Sequence, residues 1–270
     1  MISQSIKNNL TADCENCFGL CCVALPYAKS ADFAFDKESG SPCRNLQKDF
    51  RCGIHGKLRE EGFKGCTVYE CFGAGQKVSR ITYQGHDWRK QPEKAKEMFD
   101  LFPIMQQLHE MLCYLEEAMA LKETKSIYPD LHDIYFKMEQ LTNLSAAEIL
   151  SQDIPAHRAL VNELLLKTSL LVRSKIKNKK KPKGKNLLGA KMRHADLKGS
   201  DFRGALLIAA DLREADLRLC DFIGADMRDA DLSDANLEGS FFLTQAQINS
   251  AKGNDRTRLP LTLSKPKHWG

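Results

Sequence analysis

Eight of the ten cysteines in the chain lie in one stretch near the N-terminus, between residues 14 and 71. Thiolates bind soft metal ions well, and a C-x2-C pair can chelate one ion from a single turn of backbone. Several glycines and Pro42 in this stretch suit the irregular loops that such sites need. We therefore predict a cysteine-rich metal-binding domain over residues 1–75. The candidate metal ligands are Cys14, Cys17, Cys21, Cys22, Cys43, Cys52, His55, Cys66 and Cys71.

Eight sulfurs could hold two tetrahedral zinc ions, one iron–sulfur cluster with spare thiols, or one of each. Zinc that only folds a small domain is the commonest use of such spacing and is the first expectation. A redox or sensing iron–sulfur cluster is the alternative, and disulfides come third. The N-terminus lacks the apolar segment of a signal peptide, so we expect a cytoplasmic protein. In that reducing compartment, clustered cysteines are more often metal ligands than disulfides.

The C-x2-C-x3-C-C motif that opens this stretch resembles, residue for residue, the cysteine-cluster family described as zinc- or iron-chelating. In the later half of that family's pattern, C-x-I-Y precedes two further cysteines. Cys52-Gly-Ile-His55 and then Cys66 and Cys71 echo it, with His55 in the place of the aromatic residue. The resemblance implies a chelated metal ion and leaves open whether His55 is a ligand.

Residue patterns typical of catalysis are missing from the sequence. No Ser/His/Asp set, nucleotide-binding loop or pair of carboxylates in a defined cleft can be recognised, and the histidines at 109, 132 and 157 do not cluster. Hydrolytic and phosphoryl-transfer chemistry are therefore disfavoured. A non-enzymatic function is the first expectation, and an iron–sulfur redox protein is the alternative.

Residues 88–176 show helical periodicity and would form the element next to the metal domain. Pro129 and Pro155 mark helix starts, and Ser145 with Glu148 forms a capping box. We predict three or four helices in a small bundle. The first apolar face comprises Leu101, Ile104, Met105, Leu108, Met111, Leu112, Leu115, Ala118 and Met119.

From residue 186 to 251 the sequence repeats every five residues, with a large apolar residue, a small residue two positions earlier and usually Asp or Asn between them. Such self-similarity predicts a solenoid whose units bury their apolar residues by stacking. The small residues Ser200, Cys220 and Ser240 are twenty apart, so four units make one turn. The large apolar residues are Leu187, Met192, Leu197, Phe202, Leu207, Leu212, Leu217, Phe222, Met227, Leu232, Leu237 and Phe242.

The pattern A-(D/N)-L-x-x resembles the pentapeptide-repeat family. This resemblance implies a mixed fold class, with a C-terminal right-handed quadrilateral β-helix of about three turns at 186–251. A short helix or a last half-turn near 245–249 and a cap at 252–270 would close its end, where Ile248, Leu259 and Trp269 are apolar. The C-terminal residues also resemble bacterial pentapeptide-repeat proteins, some of them named for resistance to the nucleoside antibiotic oxetanocin A.

Charge is strongly segregated although the net charge is only +5. Residues 173–185 carry one arginine, seven lysines and no acidic residue, and we predict a basic linker at 177–185 that could also contact nucleic acid weakly and without sequence preference. Some members of the repeat family are thought to mimic DNA and to bind topoisomerases. The resemblance therefore implies, as an alternative function, an antibiotic-resistance or topoisomerase-modulating protein that acts by partial DNA mimicry, with DNA gyrase as its partner. Basic residues alternate with the aspartates of this repeat, so gyrase is disfavoured. We predict an unidentified protein partner and no transmembrane segment.

Overall fold

The computed structural model describes residues 10–174, 176 and 184–269. The chain divides into two compact units, the first being Met1–Met119 with Ile127–Leu165 and the second Ala120–Ser126 with Leu166–Gly270. Most of the basic linker predicted at 177–185 lies outside the described residues. No helix in the described part of the chain is both long enough and apolar enough to cross a membrane.

Short helical turns interrupt the loops of the cysteine-rich region, and longer helices follow it. The short elements are 3-10 turns at Cys14–Asn16 and His55–Lys57, α1 (Leu20–Ala24), α2 (Lys64–Thr67), α3 (Ala74–Gln76) and a π-helical turn at Lys77–Thr82. The long helix α4 spans Pro92–Ala120. A 3-10 turn (Lys122–Ile127), α5 (Tyr128–Leu141), α6 (Ala146–Leu150) and α7 (Ile154–Arg173) come next.

Helix α4 carries much of the core of the first unit. Its buried residues Met98, Leu101, Met105, Leu108 and Leu112 recur at the three- and four-residue spacing of one helix face. The helical periodicity seen in the sequence is therefore confirmed for α4. The predicted capping box before α6 is confirmed too, because the Ser145 side chain accepts from the backbone N–H of Glu148 and the Glu148 carboxylate accepts from that of Ser145.

The five-residue repeats form a stack of coils, each 20 residues long. Isolated parallel bridges join residues twenty apart, such as Leu206 with Asp226 and Asp211 with Asp231. Between coils, the Leu207 N–H donates to the Asp226 carbonyl at 2.8 Å. Inside the stack the rings of Phe202 and Phe222 are fully buried, and their centroids lie 5.2 Å apart with 13° between planes.

The prediction of a right-handed quadrilateral β-helix is wrong. The described residues contain no β-strand: their named elements are helices, and the bridges of the repeat region are isolated. Each five-residue unit contains one residue with left-handed backbone, for example Glu214 (φ 59°), Leu219 (φ 56°) and Gly224 (φ 64°). Such a residue turns the chain, so extended pairing does not continue beyond single bridges. The repeat region is a stack of turns.

A C-terminal cap covers the last coil. The predicted short helix is confirmed as α8 (Gln245–Ser250), which begins at a capping box made by Thr244 and Gln247. The Gln247 amide also donates to the carbonyls of Phe222 and Ala225, both at 2.8 Å. The Ala225 carbonyl is thus satisfied although no further coil in the described part of the chain pairs with it, whereas the equivalent Ala205 carbonyl accepts from the Asp226 N–H of the next coil at 2.9 Å. Trp269 is buried against the repeat core, and its indole N–H donates to the Ala251 carbonyl at 3.0 Å.

Candidate functional site

The first cysteines are held by the segment that follows the cysteine-rich loops. The Gln76 side chain accepts from the backbone N–H of Asp13 (3.2 Å) and donates to the Thr11 carbonyl (2.7 Å). The Ser79 hydroxyl accepts from the Phe18 N–H at 3.0 Å. Cys14 and Cys17 thus lie on a segment that is tied at both ends to residues 76–79.

Cys17 and Cys71 meet at the start of α3. A Cβ added to Gly75 would lie only 2.6 Å from the Cys17 sulfur, so this glycine leaves room for the thiol. The Cys71 carbonyl accepts from the Ala74 N–H at 2.9 Å. Burial raises the pKa of the Cys71 thiol to about 11, although backbone N–H groups of Gly75 and Gly73 partly offset the rise.

A second group of cysteines is assembled by backbone contacts. The Cys43 N–H donates to the Cys22 carbonyl at 2.8 Å, and Cys52 pairs with Leu46 in an antiparallel bridge. The Tyr27 hydroxyl donates to the Cys43 sulfur at 3.2 Å. Cys22, Cys43 and Cys52 therefore belong to one neighbourhood, and the sulfur of Cys22 lies 4.0 Å from that of Cys21, the preceding residue.

Lys37 is buried beside this second group. Its ammonium donates to the carbonyls of Val23 (3.0 Å), Glu38 (3.0 Å) and Ser41 (2.9 Å). Burial lowers the pKa of Lys37. The pKa of Cys22 is also lowered, chiefly by its hydrogen bond with Cys21 and secondarily by the charge of Lys37. The lysine thus joins three loop carbonyls and places a positive charge near thiols.

The donor chemistry fits a thiophilic metal, whereas the described geometry does not assemble a coordination site. Among residues 10–174, 176 and 184–269, no group of three or more His, Cys, Asp or Glu side chains is arranged to hold an ion. Cys14, His55 and Cys66 are exposed. The nine candidate ligands remain a prediction, supported by the type and density of their donors.

Helix α4 supplies two positioning side chains that the sequence did not reveal. The His109 Nδ1 lies 2.7 Å from the Phe72 carbonyl, and the Gln106 amide donates to the Glu70 carbonyl at 3.3 Å. These contacts fix the backbone on both sides of Cys71. In the sequence, the only indication of this role was a histidine on the apolar face of a predicted helix. Its position does not identify the carbonyl that the histidine contacts.

The repeat surface neutralises much of its own charge. Several repeat aspartates accept a hydrogen bond from the backbone N–H two residues later, as Asp201 does from Arg203 at 3.0 Å, which supports the turn. Arg218 adds two side-chain bonds to Asp216, at 2.8 and 2.5 Å. Arg213 pairs in the same way with Asp211, and Arg228 with Asp226.

Two comparisons place the chain among known proteins. The family "Pentapeptide repeats" matches residues 183–207 and 200–239, with 8 copies. The chain is also 61% identical, over 272 residues, to the "Uncharacterized protein YybG" of Bacillus subtilis (strain 168), and the match covers 99% of this chain and 98% of that protein. The chain therefore belongs to the same family as YybG, and its own residues 183–239 match the pentapeptide-repeat family.

Proposed function

We propose that this protein is a non-enzymatic scaffold that binds a metal ion through its cysteine-rich region and a protein partner through its repeat stack. Pentapeptide repeats indicate a protein-interaction or scaffold role in general terms. The metal and the partner are the finer parts of the proposal. Each rests on a different unit of the chain.

The filled interior of the repeat stack carries the scaffold proposal. Phe202, Leu212 and Phe222 are completely buried there, and so are small residues of the same repeats such as Ala210 and Cys220. A core packed in this way leaves no room for a small-molecule substrate inside the coils. Its ordered backbone instead presents side chains outward at a fixed spacing, which suits recognition of another macromolecule.

For the metal, the thiol donors favour zinc, with an iron–sulfur cluster as the alternative. Cys17 and Cys71 converge at α3, and Cys22, Cys43 and Cys52 are gathered by backbone contacts. A bound metal would cross-link loops that otherwise contain only short helices. Its first effect would be on the stability of the fold.

Mimicry of DNA is a weaker proposal for the repeat stack. A mimic needs a continuous array of unpaired negative charges, whereas Asp211, Asp216 and Asp226 each pair with an arginine two residues later. The acidic surface is therefore interrupted at regular intervals. DNA gyrase remains a disfavoured partner.

The metal proposal is tested by elemental mass spectrometry and absorption spectroscopy on the full chain, purified without oxygen. We expect one or two zinc ions per chain and no colour, because a tetrahedral zinc site takes four ligands. Iron with acid-labile sulfide and a visible band that dithionite bleaches would favour the redox alternative. A metal-free chain with paired cysteines would overturn the metal proposal.

A further inference from the structure

An open groove runs along the C-terminal cap, within the second unit. Its volume is about 610 Å³, and residues from the last coil and the cap line it, among them Glu238, Arg258, Leu261, Leu263 and Lys265. All of these lie in the described part of the chain. Neither the metal proposal nor the packing of the repeat core uses this groove.

One wall of the groove is apolar and held in place. Leu259 and Leu263 pack partly against the repeat core, and the Leu263 N–H donates to the Pro260 carbonyl at 3.0 Å to close the turn between them. Leu261 stands at the tip of this turn with its side chain fully exposed. A leucine presented by an anchored turn can bury its apolar surface against a partner with little loss of chain entropy.

The edge of the groove carries an unpaired cation. Arg256 is paired with Asp234. The Lys265 ammonium donates a hydrogen bond to the backbone carbonyl of Asp255, and because that carbonyl is neutral, the positive charge of Lys265 is not compensated by it. The Arg258 guanidinium makes no hydrogen bond and no ion pair with any residue that the structure describes.

The sequence explains why Arg258 has no acidic partner. Three arginines of the repeats, Arg213, Arg218 and Arg228, pair with an aspartate two residues earlier, but the residue two before Arg258 is Arg256. The charge of the residues joined by parallel bridges also changes here. Asp196 pairs with Asp216, Asp216 pairs with Asn236, and Asn236 pairs with the basic residue Arg258. Residues 252–270 hold five basic residues and one acidic residue. The cap therefore offers positive charge beside an apolar wall.

We infer that this groove binds an acidic peptide segment of a partner protein, with carboxylates paired to Arg258 and Lys265 and an apolar side chain packed on Leu261. The inference rests on the scaffold part of the proposed function and names the chemistry of the partner. A peptide fits better than a nucleic acid, because no aromatic side chain for base stacking is among the described residues that line the groove, whereas an exposed leucine is.

The test uses fluorescence anisotropy on the full chain with two short labelled peptides of equal length. One contains glutamate and aspartate around a central leucine, and the other contains glutamate alone. We expect the first peptide to bind more tightly. Arg258→Glu and Leu261→Ser should each weaken its binding about tenfold, which corresponds to about 1.4 kcal/mol. Leu188→Ser is the matched control, because Leu188 is an exposed leucine of the first coil outside the groove, and it should leave binding unchanged.

Three results with the peptides would overturn the inference: no binding of the leucine peptide, equal binding of the two peptides, or the same loss of binding with Leu188→Ser. Duplex DNA that binds in place of the peptide, and is weakened by Arg258→Glu, would also overturn it. Both altered side chains are exposed, so circular dichroism should show an unchanged fold. Metal content is measured in a separate experiment and depends on cysteines of the first unit. Failure of peptide binding would therefore leave the metal proposal standing.

Discussion

One buried imidazole connects helix α4 to the loop that carries Cys71. His109 is 3% exposed, and burial lowers its pKa to about 4, with the nearby charge of Lys77 acting in the same direction. The histidine is therefore neutral in the folded protein near neutral pH. Its contact with the Phe72 carbonyl at 2.7 Å then requires the proton to be on Nδ1, which makes the imidazole the donor.

This depressed pKa predicts a pH-dependent contribution to stability. Below about pH 6.5 the unfolded chain protonates this histidine, whereas the folded chain resists until about pH 4, so stability falls as the pH drops through that range. Between about pH 7.5 and about pH 5, the free energy of unfolding should fall by about 2 kcal/mol more in the wild type than in His109→Gln.

Urea unfolding of both proteins at the two pH values measures this difference. The control is His132→Gln, since the side chain of His132 is 59% exposed, and it should keep the slope of the wild type. Equal pH slopes for the wild type and His109→Gln would contradict the assigned burial and neutrality of His109.

At the residue scale, the sequence shows which chemically active side chains are present, but it does not show which groups they contact. The density of cysteines is visible in the sequence, but the Phe72 carbonyl that His109 reaches is 37 residues away. No periodicity encodes a hydrogen bond to a loop carbonyl. The space that Gly75 leaves for the Cys17 sulfur is likewise invisible, because it depends on how two loops meet.

At the scale of the element, the repeat units show which features follow from spacing. The five-residue period predicts the buried positions, and Phe202, Leu207, Leu212, Leu217 and Phe222 are all fully buried. It did not predict the backbone correctly. A left-handed residue is tolerated in each unit even where the side chain is not glycine, as at Glu214 and Leu219. Turns therefore replace the strands that the family resemblance implied.

The stacked rings of neighbouring coils predict a large effect of truncation. Phe222→Ala should lower the free energy of unfolding by about 3–5 kcal/mol, because it removes a fully buried ring that stacks on Phe202 and leaves a cavity. Leu206→Ala is the control within the repeat stack, since Leu206 is 43% exposed, and it should lower the free energy of unfolding by less than about 1 kcal/mol. Thermal and urea unfolding measure both, and similar losses in the two variants would contradict the assignment of the core.

At the scale of the whole molecule, each compact unit contains one of the two tryptophans. Trp88 lies in the first unit, where its indole N–H donates to the Phe18 carbonyl at 2.9 Å, between Cys17 and Cys21. Trp269 lies in the second unit, buried against the repeat core. The two residues are therefore natural reporters for the cysteine-rich region and for the repeat stack.

Metal removal should affect these reporters differently. Trp269→Phe leaves only Trp88, and Trp88→Phe leaves only Trp269, so each variant gives a single fluorescence signal. With a strong chelator under reducing conditions, the emission of Trp88 should shift to the red and its unfolding midpoint should fall, because the free energy of metal binding contributes to folding of the loops around it. The signal of Trp269 should hardly change, because the repeat stack is stabilised by its own core and by bridges between coils. Equal shifts of both signals would mean that the repeats depend on the metal, and an unchanged Trp88 would mean that no structural metal is bound near it.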